Sequence, residues 1–474
     1  MGSPPMKTPL TQDTIAAIAT PPGVGAIAIV RLSGPQSRRI LGELWISSCR
    51  SVENMETHRF YYGKIRKPAL EIQAISPDIH TPEDAPSIID EVMVVCFEAP
   101  RSYTGEDMVE LYCHGGSVVV QEVLAACLDA GTRLAHPGEF TRRAFLNGKM
   151  DLAQAEAVAS IIHAGSESAR RHATEQLSGR LSQIIHQSMS SLTQLRAFVE
   201  ATIDFPEEDI EMIAHAGIKE RLLPIQSQLG RLAETYHAGR LLKDGARVVL
   251  VGAPNVGKSS LMNALLGQDR SIVHDVPGTT RDYVDAAWNL NGIVVHLTDT
   301  AGLRSADETV ERIGIERSHQ KMEEADLVLV ICDGSRPLNA SETEFIKQLD
   351  PERSLVVMNK SDLPKQCELS ETISISAQTG AGMPELQEAL CARLLGSGPQ
   401  DVEGVTITAL RHKQALDEAL EALTAASNAV IEASSSEFVA HHLTQASQAL
   451  GEIVGEVTTD ELLGEIFGKF CIGK

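Results

Sequence analysis

A phosphate-binding loop is the clearest sign of chemistry in this sequence of 474 residues. The run GAPNVGKS extends from Gly252 to Ser259 and follows the strand-like segment VVLV. It fits the pattern GxxxxGK[ST], in which main-chain N–H groups surround phosphates, Lys258 neutralises their charge and Ser259 offers a hydroxyl to Mg²⁺. A glycine-rich turn without function is the alternative, and the strand–loop–helix context argues against it.

Two later segments indicate which nucleotide the loop would hold. LTDTAG places Asp299 at a strand end, where it would hold the magnesium shell, and Gly302 where its N–H would meet a γ-phosphate. VVMNKSD places Asn359, Lys360 and Asp362 after another buried strand. Asp362 is suited to accept from two N–H groups on one edge of guanine, a pair that adenine lacks. Together with SISAQ, the usual loop behind the base, these segments predict GTP rather than ATP.

Composition limits the remaining functions. The net charge of −23, from 41 basic and 64 acidic residues, disfavours a nucleic-acid partner on bulk charge, although local basic patches could still exist. The eight cysteines form no CxxC pair, which argues against a zinc ribbon or a disulfide scaffold and fits a reducing compartment. No apolar run approaches the roughly 18–20 residues of a membrane span, and no signal peptide is evident, so a cytoplasmic location is predicted.

The pattern of apolar residues changes along the chain. Strand-like and helix-like runs alternate at first, a helical stretch follows, and the alternation returns before a helical end. The second alternation is typical of a mostly parallel sheet with helices on both faces. We therefore predict a multidomain α/β and all-α protein with an amino-terminal α+β domain, a helical domain, and an α/β P-loop domain inserted into the helical one. The predicted boundaries, in that order along the chain, are 1–135, 136–243 (first helical half), 244–397 (inserted domain) and 398–474 (second helical half).

The inserted domain resembles a Ras-like GTPase, with one departure. Ras-type proteins follow DxxG with a glutamine that orients the attacking water, whereas this chain has Leu303, whose side chain cannot hydrogen-bond water. The segment HDVPGTTRD at 274–282 resembles a switch loop, with Thr280 placed to reach Mg²⁺. Asn255 and Thr279 resemble ligands of potassium-activated GTPases, in which K⁺ offsets charge that develops on the β–γ bridge. An ordinary variable position is the alternative for Asn255.

Three segments outside the inserted domain resemble one family closely. They read TPPGVGAIAIVRLSG, SYTGEDMVELYCHGG and PGEFTRRAFLNGKMDLAQAEAVASII, at 20–34, 102–116 and 137–162, and the chain closes with CIGK. Over essentially the whole chain, the sequence resembles the MnmE (TrmE) family of tRNA-modification GTPases. The resemblance implies a homodimer joined through the amino-terminal domains, with tRNA and the flavoprotein MnmG as partners, MnmG in a heterotetramer or larger assembly. It also implies an activity that builds a carboxymethylaminomethyl or aminomethyl group on C5 of the wobble uridine.

The resemblance also implies a folate site in the amino-terminal domain, for 5-formyltetrahydrofolate or a related tetrahydrofolate. Arg31, Glu110, Lys149 and Lys474 match the family's contacts to this cofactor. Glu110 suits a pterin, which offers paired N–H donors as guanine does, and the three basic residues suit glutamate carboxylates or neighbouring groups. Without the family, all four would be interpreted as surface charges.

Cys471 admits four interpretations: part of a slack tail, a lipidation signal, a metal ligand, or a reactive group delivered into a site. CIGK is a poor match to a prenylation box, and a lone thiol makes a poor zinc site. The resemblance favours a cysteine brought beside the folate. Simple packing of the tail, anchored by Phe470, remains the alternative.

The resemblance completes the set of predicted GTP-site residues. It selects Glu311 as the catalytic carboxylate that positions water, although an acid there, judged alone, is more often a solvated helix charge. The predicted Mg²⁺ ligands are Ser259 and Thr280, and the predicted K⁺ ligands are Asn255, His274, Val276 and Thr279. His274 stands where relatives often have Thr or Ser, which is harmless if main-chain carbonyls coordinate K⁺. The predicted GTP-binding residues are Asn255, Val256, Gly257, Lys258, Ser259, Ser260, His274, Asp275, Val276, Pro277, Gly278, Thr279, Thr280, Asp299, Thr300, Ala301, Gly302, Asn359, Lys360, Asp362, Ser376 and Ala377.

Two other classes of protein share some of these features. One is a ribosome-assembly or ion-transport GTPase with unrelated flanking domains, which the amino-terminal motifs contradict. The other is a folate-using transferase that binds GTP only for regulation. The prediction is a tRNA-modification GTPase with GTP, Mg²⁺, K⁺ and a tetrahydrofolate as cofactors.

Overall fold

The structure is a computed structural model that describes residues 13–47, 51–68, 87–204, 208–268, 285–299, 321–367, 369, 372–396, 404–432 and 435–474. The chain divides into two compact units, Met1–Glu156 with Gly455–Lys474, and Ala157–Val454. No helix in the described part of the chain is both long enough and apolar enough to cross a membrane.

The described ranges contain the following strands and helices. The strands are β1 Ile15–Ile18, β2 Ile27–Ser33, β3 Trp45–Ile46, β4 Phe60–Arg66, β5 Ile88–Phe97, β6 Met108–His114, β7 Arg133–Leu134, β8 Ala246–Val251, β9 Asp285–Leu290, β10 Ile293–Asp299, β11 Leu327–Asp333, β12 Ser354–Asn359 and β13 Ile373–Ser374. The helices are α1 Ser37–Leu44, α2 Ser117–Asp129, α3 Glu139–Leu146, α4 Leu152–Ile162, α5 Glu167–Leu177, α6 Arg180–Asp204, α7 Glu208–Glu234, α8 Tyr236–Asp244, α9 Lys258–Gln268, α10 Ala340–Gln348, α11 Met383–Leu395, α12 Leu410–Ile431, α13 Ser436–Val454 and α14 Asp460–Gly468.

The first unit is built on a seven-stranded sheet with the strand order β3-β4-β5-β6-β2-β1-β7. Its pairings are antiparallel except the one between β1 and β7. Side chains alternate between the two faces of a strand, so Val30 and Leu32 of β2 enter the main core, where α1 and α2 also contribute residues. Arg31 lies on the opposite face. This is the predicted α+β arrangement.

The carboxyl-terminal residues belong to the first unit, although the predicted division assigns them to the second helical half. The ring of Phe467 in α14 packs against that of Phe145 in α3, with 6.4 Å between the ring centroids. The ring of Phe470 packs against that of Phe467, with 5.5 Å between the centroids. Phe140 of α3 is itself fully buried. The first unit therefore extends beyond the predicted boundary at residue 135, because burial of these aromatic rings ties α3 and the end of the chain together.

The second unit contains the other sheet, with the strand order β13-β12-β11-β8-β10-β9. The pairings are parallel except between β9 and β10. Leu261 and Leu386, from α9 and α11, pack on one face, and Phe345 of α10 packs on the other. The predicted α/β domain with helices on both faces is therefore confirmed. It lies in sequence between α5–α8 and the pair α12–α13, as an insertion into a helical domain should.

Candidate functional site

The phosphate-binding loop connects β8 to α9. Its backbone is left-handed at Asn255, with φ 60°, and at Gly257, with φ 100°. A Cβ atom on Gly257 would lie 2.2 Å from Nδ2 of Asn359, so glycine is required there on space as well as conformation. The Lys258 ammonium donates to the main-chain oxygens of Gly252 and Ala253, at 2.9 Å each. The loop therefore wraps around the Lys258 side chain. Ser259, the next residue, is on the exposed side of α9.

The base-recognition segment is bonded directly to the phosphate loop. Asn359 ends β12 and is almost completely buried, and its Nδ2 donates to the main-chain oxygen of Val256 at 2.8 Å. Its Oδ1 accepts from the N–H of Ala377 at 3.0 Å. The hydroxyl of Ser376 donates to Asp362 at 2.5 Å, which orients an otherwise exposed carboxylate. Hydrogen bonds therefore connect the described residues of the predicted guanine site to one another and to the phosphate loop.

Lys360, within the same segment, has a left-handed backbone with φ 66°. Its ammonium donates to Oδ2 of Asp333 at 2.6 Å, while Oδ1 accepts from the N–H and the hydroxyl of Ser335 at 3.0 and 2.6 Å. Burial raises the pKa of the Asp333 carboxyl, but the hydrogen bonds from Lys360 and Ser335 outweigh it and hold the pKa below its ordinary value. No sequence motif predicted a role for Asp333. Its position as the first acidic residue after the apolar run LVLVIC was the available signal.

The predicted magnesium, potassium and water-positioning residues fall largely outside the described ranges. Asp299 ends β10 and pairs in register with Leu250 of β8, so its backbone lies beside the strand that leads into the phosphate loop. The other predicted residues of this group lie outside the described residues and remain predictions: His274, Asp275, Val276, Pro277, Gly278, Thr279, Thr280, Thr300, Ala301, Gly302 and Glu311. Among the residues that the structure does describe, no group of three or more His, Cys, Asp and Glu side chains could hold a metal ion.

A second cluster of polar residues lies in the first unit, on the sheet face opposite the main core. Arg31 of β2 and Glu110 of β6 are partners in register, and the guanidinium donates to the carboxylate at 2.8 Å. The hydroxyl of Tyr112 donates to the other oxygen of Glu110, also at 2.8 Å. Burial and this hydrogen bond raise the pKa of Tyr112 to about 12. The rings of Tyr103 and Phe140 lie 5.5 and 5.7 Å from the guanidinium carbon of Arg31.

The carboxyl-terminal segment lies against this cluster. The guanidinium of Arg31 donates to the main-chain oxygen of Gly473 at 3.4 Å, and the N–H of Gly138 donates to that of Cys471 at 3.4 Å. Gly473 has φ 95°, and a Cβ atom there would lie 2.2 Å from the main-chain oxygen of Ile18. Only glycine therefore fits at this position without movement of the segment.

The side chain of Lys474 lies close to the same charges. Burial lowers the pKa of its ammonium, as does the nearby Arg31, while Cys471 and Glu110 act in the opposite direction. Three of the four predicted folate residues, together with the predicted reactive cysteine, are therefore brought together. Lys149 is placed differently, because its ammonium donates to the main-chain oxygen of Pro100 at 2.9 Å.

Three aromatic residues of this cluster were missed by the sequence analysis: Tyr103, Tyr112 and Phe140. Tyr112 could have been found, since it follows Glu110 by two positions in a strand and therefore shares its face. Tyr103 and Phe140 could not, because a turn and a helix bring them to Arg31 from distant parts of the chain.

The topology of the second sheet, the phosphate loop and the bonded NKSD segment define a P-loop GTPase domain. Two family models match the chain: one described as MnmE helical domain matches residues 152–471, a range that includes the GTPase domain, and one described as GTP-binding protein TrmE N-terminus matches residues 14–149.

Named relatives match this chain along nearly its whole length. The tRNA modification GTPase MnmE of Heliobacterium modesticaldum is 43% identical to it over 479 residues, which cover 98% of this chain and 99% of that protein. The protein of the same name from Natranaerobius thermophilus is 39% identical and matches over 98% of this chain and 100% of its own length. The chain belongs to the MnmE (TrmE) family of tRNA modification GTPases, which confirms the predicted family and the predicted enzyme class, a GTP hydrolase.

Proposed function

We propose that this chain is a cytoplasmic, potassium-activated GTPase that acts with MnmG to modify C5 of the wobble uridine of certain tRNAs. GTP hydrolysis and a folate one-carbon unit would both be used. The observation that carries the GTPase part is the bonded guanine segment, in which Asn359 holds the phosphate loop and Ser376 orients Asp362. The tRNA part rests on membership of a family whose named members are tRNA modification GTPases.

The GTP site is proposed to work by charge stabilisation around the phosphates. Main-chain N–H groups of the loop and the Lys258 ammonium would bind the phosphate oxygens, and Ser259 with Thr280 would hold Mg²⁺. Asn255 would hold K⁺ with Thr279 and the main-chain oxygens of the switch loop, and bound K⁺ would offset negative charge on the β–γ bridge. Because Leu303 cannot orient water, another group must do so, and the Glu311 carboxylate is the proposed one.

The cluster around Arg31 and Glu110 is proposed as the folate site. It combines a carboxylate for pterin N–H donors, aromatic rings, and basic groups for carboxylates. The hydrogen bonds from Arg31 to Gly473 and from Gly138 to Cys471 support this proposal, since they fix the chain at the cysteine that carries the exposed thiol and two residues after it. Cys471 would then act on the one-carbon unit as a nucleophile or an acid. Cys471→Ser keeps size and polarity but loses most of the nucleophilicity, so it should abolish modification and leave GTP hydrolysis near normal.

The homodimer is proposed to form through the first unit. Phe60 and Tyr62 of β4 and Met93 of β5 are between 42% and 64% exposed, on the sheet face that also carries Glu110. The ring of Phe60 meets that of Tyr112 at 5.1 Å between centroids, so the apolar side chains continue up to the proposed folate site. Contiguous exposed apolar side chains of this kind mark interaction surfaces, and a second copy of the chain is the proposed partner.

The experiment that tests the proposed function is mass spectrometry of tRNA nucleosides from a strain that lacks the gene. Wobble uridines should lack the C5 group, and the wild-type gene should restore it. A Lys258→Ala gene should fail to restore it, because the variant loses phosphate binding. Wobble uridines that remain fully modified in the deletion strain would contradict the proposed function and favour a different GTPase role.

A further inference from the structure

Asp333 is a buried carboxylate of the GTPase domain to which the proposed mechanism gives no role. It ends β11, pairs in register with Asn359 of β12, and is 7% exposed. The N–H of Gly334 donates to the main-chain oxygen of Asn359 at 2.9 Å, so the two strand ends are held side by side. Asp333 therefore lies next to the guanine segment, at the edge of the sheet where ligands of such folds bind.

The contacts of Asp333 differ from those of a surface ion pair. Both carboxylate oxygens are used, one by Ser335 through its N–H and hydroxyl, the other by the Lys360 ammonium. The side chain of Lys360 is only 33% exposed. An exposed pair contributes little, whereas a buried and fully hydrogen-bonded carboxylate is a fixed anchor for its partner.

Asp333 holds Lys360, a residue whose backbone has a conformation that lysine disfavours. Lys360 has φ 66°, and a left-handed backbone costs energy in any residue with a Cβ atom. Asn359, one residue before Lys360, is restrained through Val256, and Asp362, two residues after it, is restrained through Ser376. Lys360 lies in the turn between these two restrained residues. Its side chain is held by Asp333, which belongs to a different strand.

We propose that Asp333 is a positioning residue for guanine recognition. By holding the Lys360 ammonium, it stabilises the left-handed turn that presents Asp362 to the N1–H and 2-amino groups of the base. The inference rests on the proposed guanine site and extends it to a residue outside the nucleotide-binding segments. Both carboxylate oxygens of Asp333 are bonded within the protein, to Ser335 and Lys360, so in this proposal it acts only through Lys360.

The test compares GDP with IDP, whose base lacks the 2-amino group. Asp333→Asn keeps an oxygen for Ser335 but presents no carboxylate to Lys360. GDP affinity in an equilibrium titration should fall by about tenfold, as expected for a lost hydrogen bond between charged groups. IDP affinity should fall less, because IDP makes only one of the two bonds to Asp362. The ratio of GDP to IDP affinity should therefore shrink.

Matched variants separate positioning from a general loss of structure. Asp350→Asn makes the same change at an exposed acid that caps a short turn of the same domain, and should leave both affinities unchanged. Asp333→Glu keeps the carboxylate and should recover most of the ratio. In a Lys360→Met background, Asp333→Asn should have no further effect on the ratio, since the two residues act as one unit.

Equal losses of GDP and IDP affinity in Asp333→Asn, or an undiminished effect in the Lys360→Met background, would overturn the inference. Either would make Asp333 a structural residue only. Failure of the guanine site itself would be recognised separately, by Asp362→Asn. If that variant gains xanthosine diphosphate affinity while Asp333→Asn changes nothing, the guanine site stands and the inference falls.

Discussion

The main-chain N–H of Phe140 donates to the main-chain oxygen of Lys474 at 3.2 Å, which joins the start of α3 to the last residue of the sequence. Together with the bonds that Gly138 and Arg31 make to Cys471 and Gly473, it holds the segment through its backbone. The segment itself uses only main-chain oxygens in these three contacts. The thiol of Cys471 and the ammonium of Lys474 are therefore left to serve the proposed folate site.

Gly473→Ala should displace this segment. Its Cβ atom would meet the main-chain oxygen of Ile18 at 2.2 Å in a backbone conformation that alanine disfavours. We expect affinity for 5-formyltetrahydrofolate, measured by equilibrium titration, to fall by about tenfold or more, since a shift of the segment removes Lys474 from the site. GTP hydrolysis by the isolated protein should be unchanged.

Gly468→Ala is the matched control for this prediction. It lies at the end of α14, and a Cβ atom there would have no neighbour within 4 Å. Folate affinity should therefore stay at the wild-type value. Equal folate affinity in the Gly473 and Gly468 variants would show that the segment has no part in binding.

The cysteines should differ in reactivity. Burial raises the pKa of Cys96 and Cys113 to about 11 and that of Cys127 to about 12, so their thiolate fractions are minute at pH 7.5–8. Cys471 is exposed. Peptide mapping after brief iodoacetamide treatment should find Cys471 alkylated and these three unmodified, and 5-formyltetrahydrofolate should slow alkylation of Cys471. Unchanged alkylation with the folate present would place the thiol away from the ligand.

The same pKa shifts predict a fall in stability at alkaline pH. A thiol whose pKa is raised by folding contributes stability below its ordinary pKa of 9.0, and this is lost as pH rises toward the raised value. Thermal unfolding of the first unit should therefore shift to lower temperature between pH 9 and about 11. A Cys127→Ala variant should show a smaller shift than the wild-type protein.

The sequence predicted the GTPase domain well because its signals are local. The phosphate loop and the NKSD segment each lie next to a strand, and parallel strands bring their carboxyl ends to one edge of a sheet. The partner of Lys360 was missed because Asp333 reaches it across strands, through the register of β11 and β12. The family resemblance placed Lys474 and Cys471 beside the folate site, but the sequence assigned the end of the chain to the helical domain, since aromatic packing of α14 on α3 is not encoded in any local pattern.

Asp362→Asn should exchange the preferred base. The carboxylate that Ser376 orients accepts from guanine, whereas an amide would donate to the extra carbonyl of xanthine. GTP affinity should fall on the order of a hundredfold, the loss expected for two hydrogen bonds to a charged group, and xanthosine triphosphate affinity should rise. Unchanged GTP affinity in an equilibrium titration would contradict the assignment of Asp362.

Hydrolysis of GTP should depend on the monovalent cation and on the proposed carboxylate. Turnover should be much faster in K⁺ than in Na⁺, and should rise with protein concentration if pairing of GTPase domains completes the potassium site. Glu311→Ala should reduce turnover while leaving nucleotide affinity intact. Equal rates in the two salts would exclude the potassium mechanism. A fully active Glu311→Ala variant would show that another residue positions the attacking water.

The central claim is that GTP hydrolysis and a folate one-carbon unit serve one modification of tRNA. It is tested most directly by the mass of the wobble uridine after reaction of the purified protein with MnmG, tRNA, GTP, Mg²⁺ and K⁺. The mixture also contains a nitrogen donor, glycine or ammonium, and a tetrahydrofolate whose one-carbon unit carries ¹³C. We expect the modified nucleoside to contain the ¹³C label, and the label to be absent when GTP is omitted. A modified wobble uridine without ¹³C would contradict the claim.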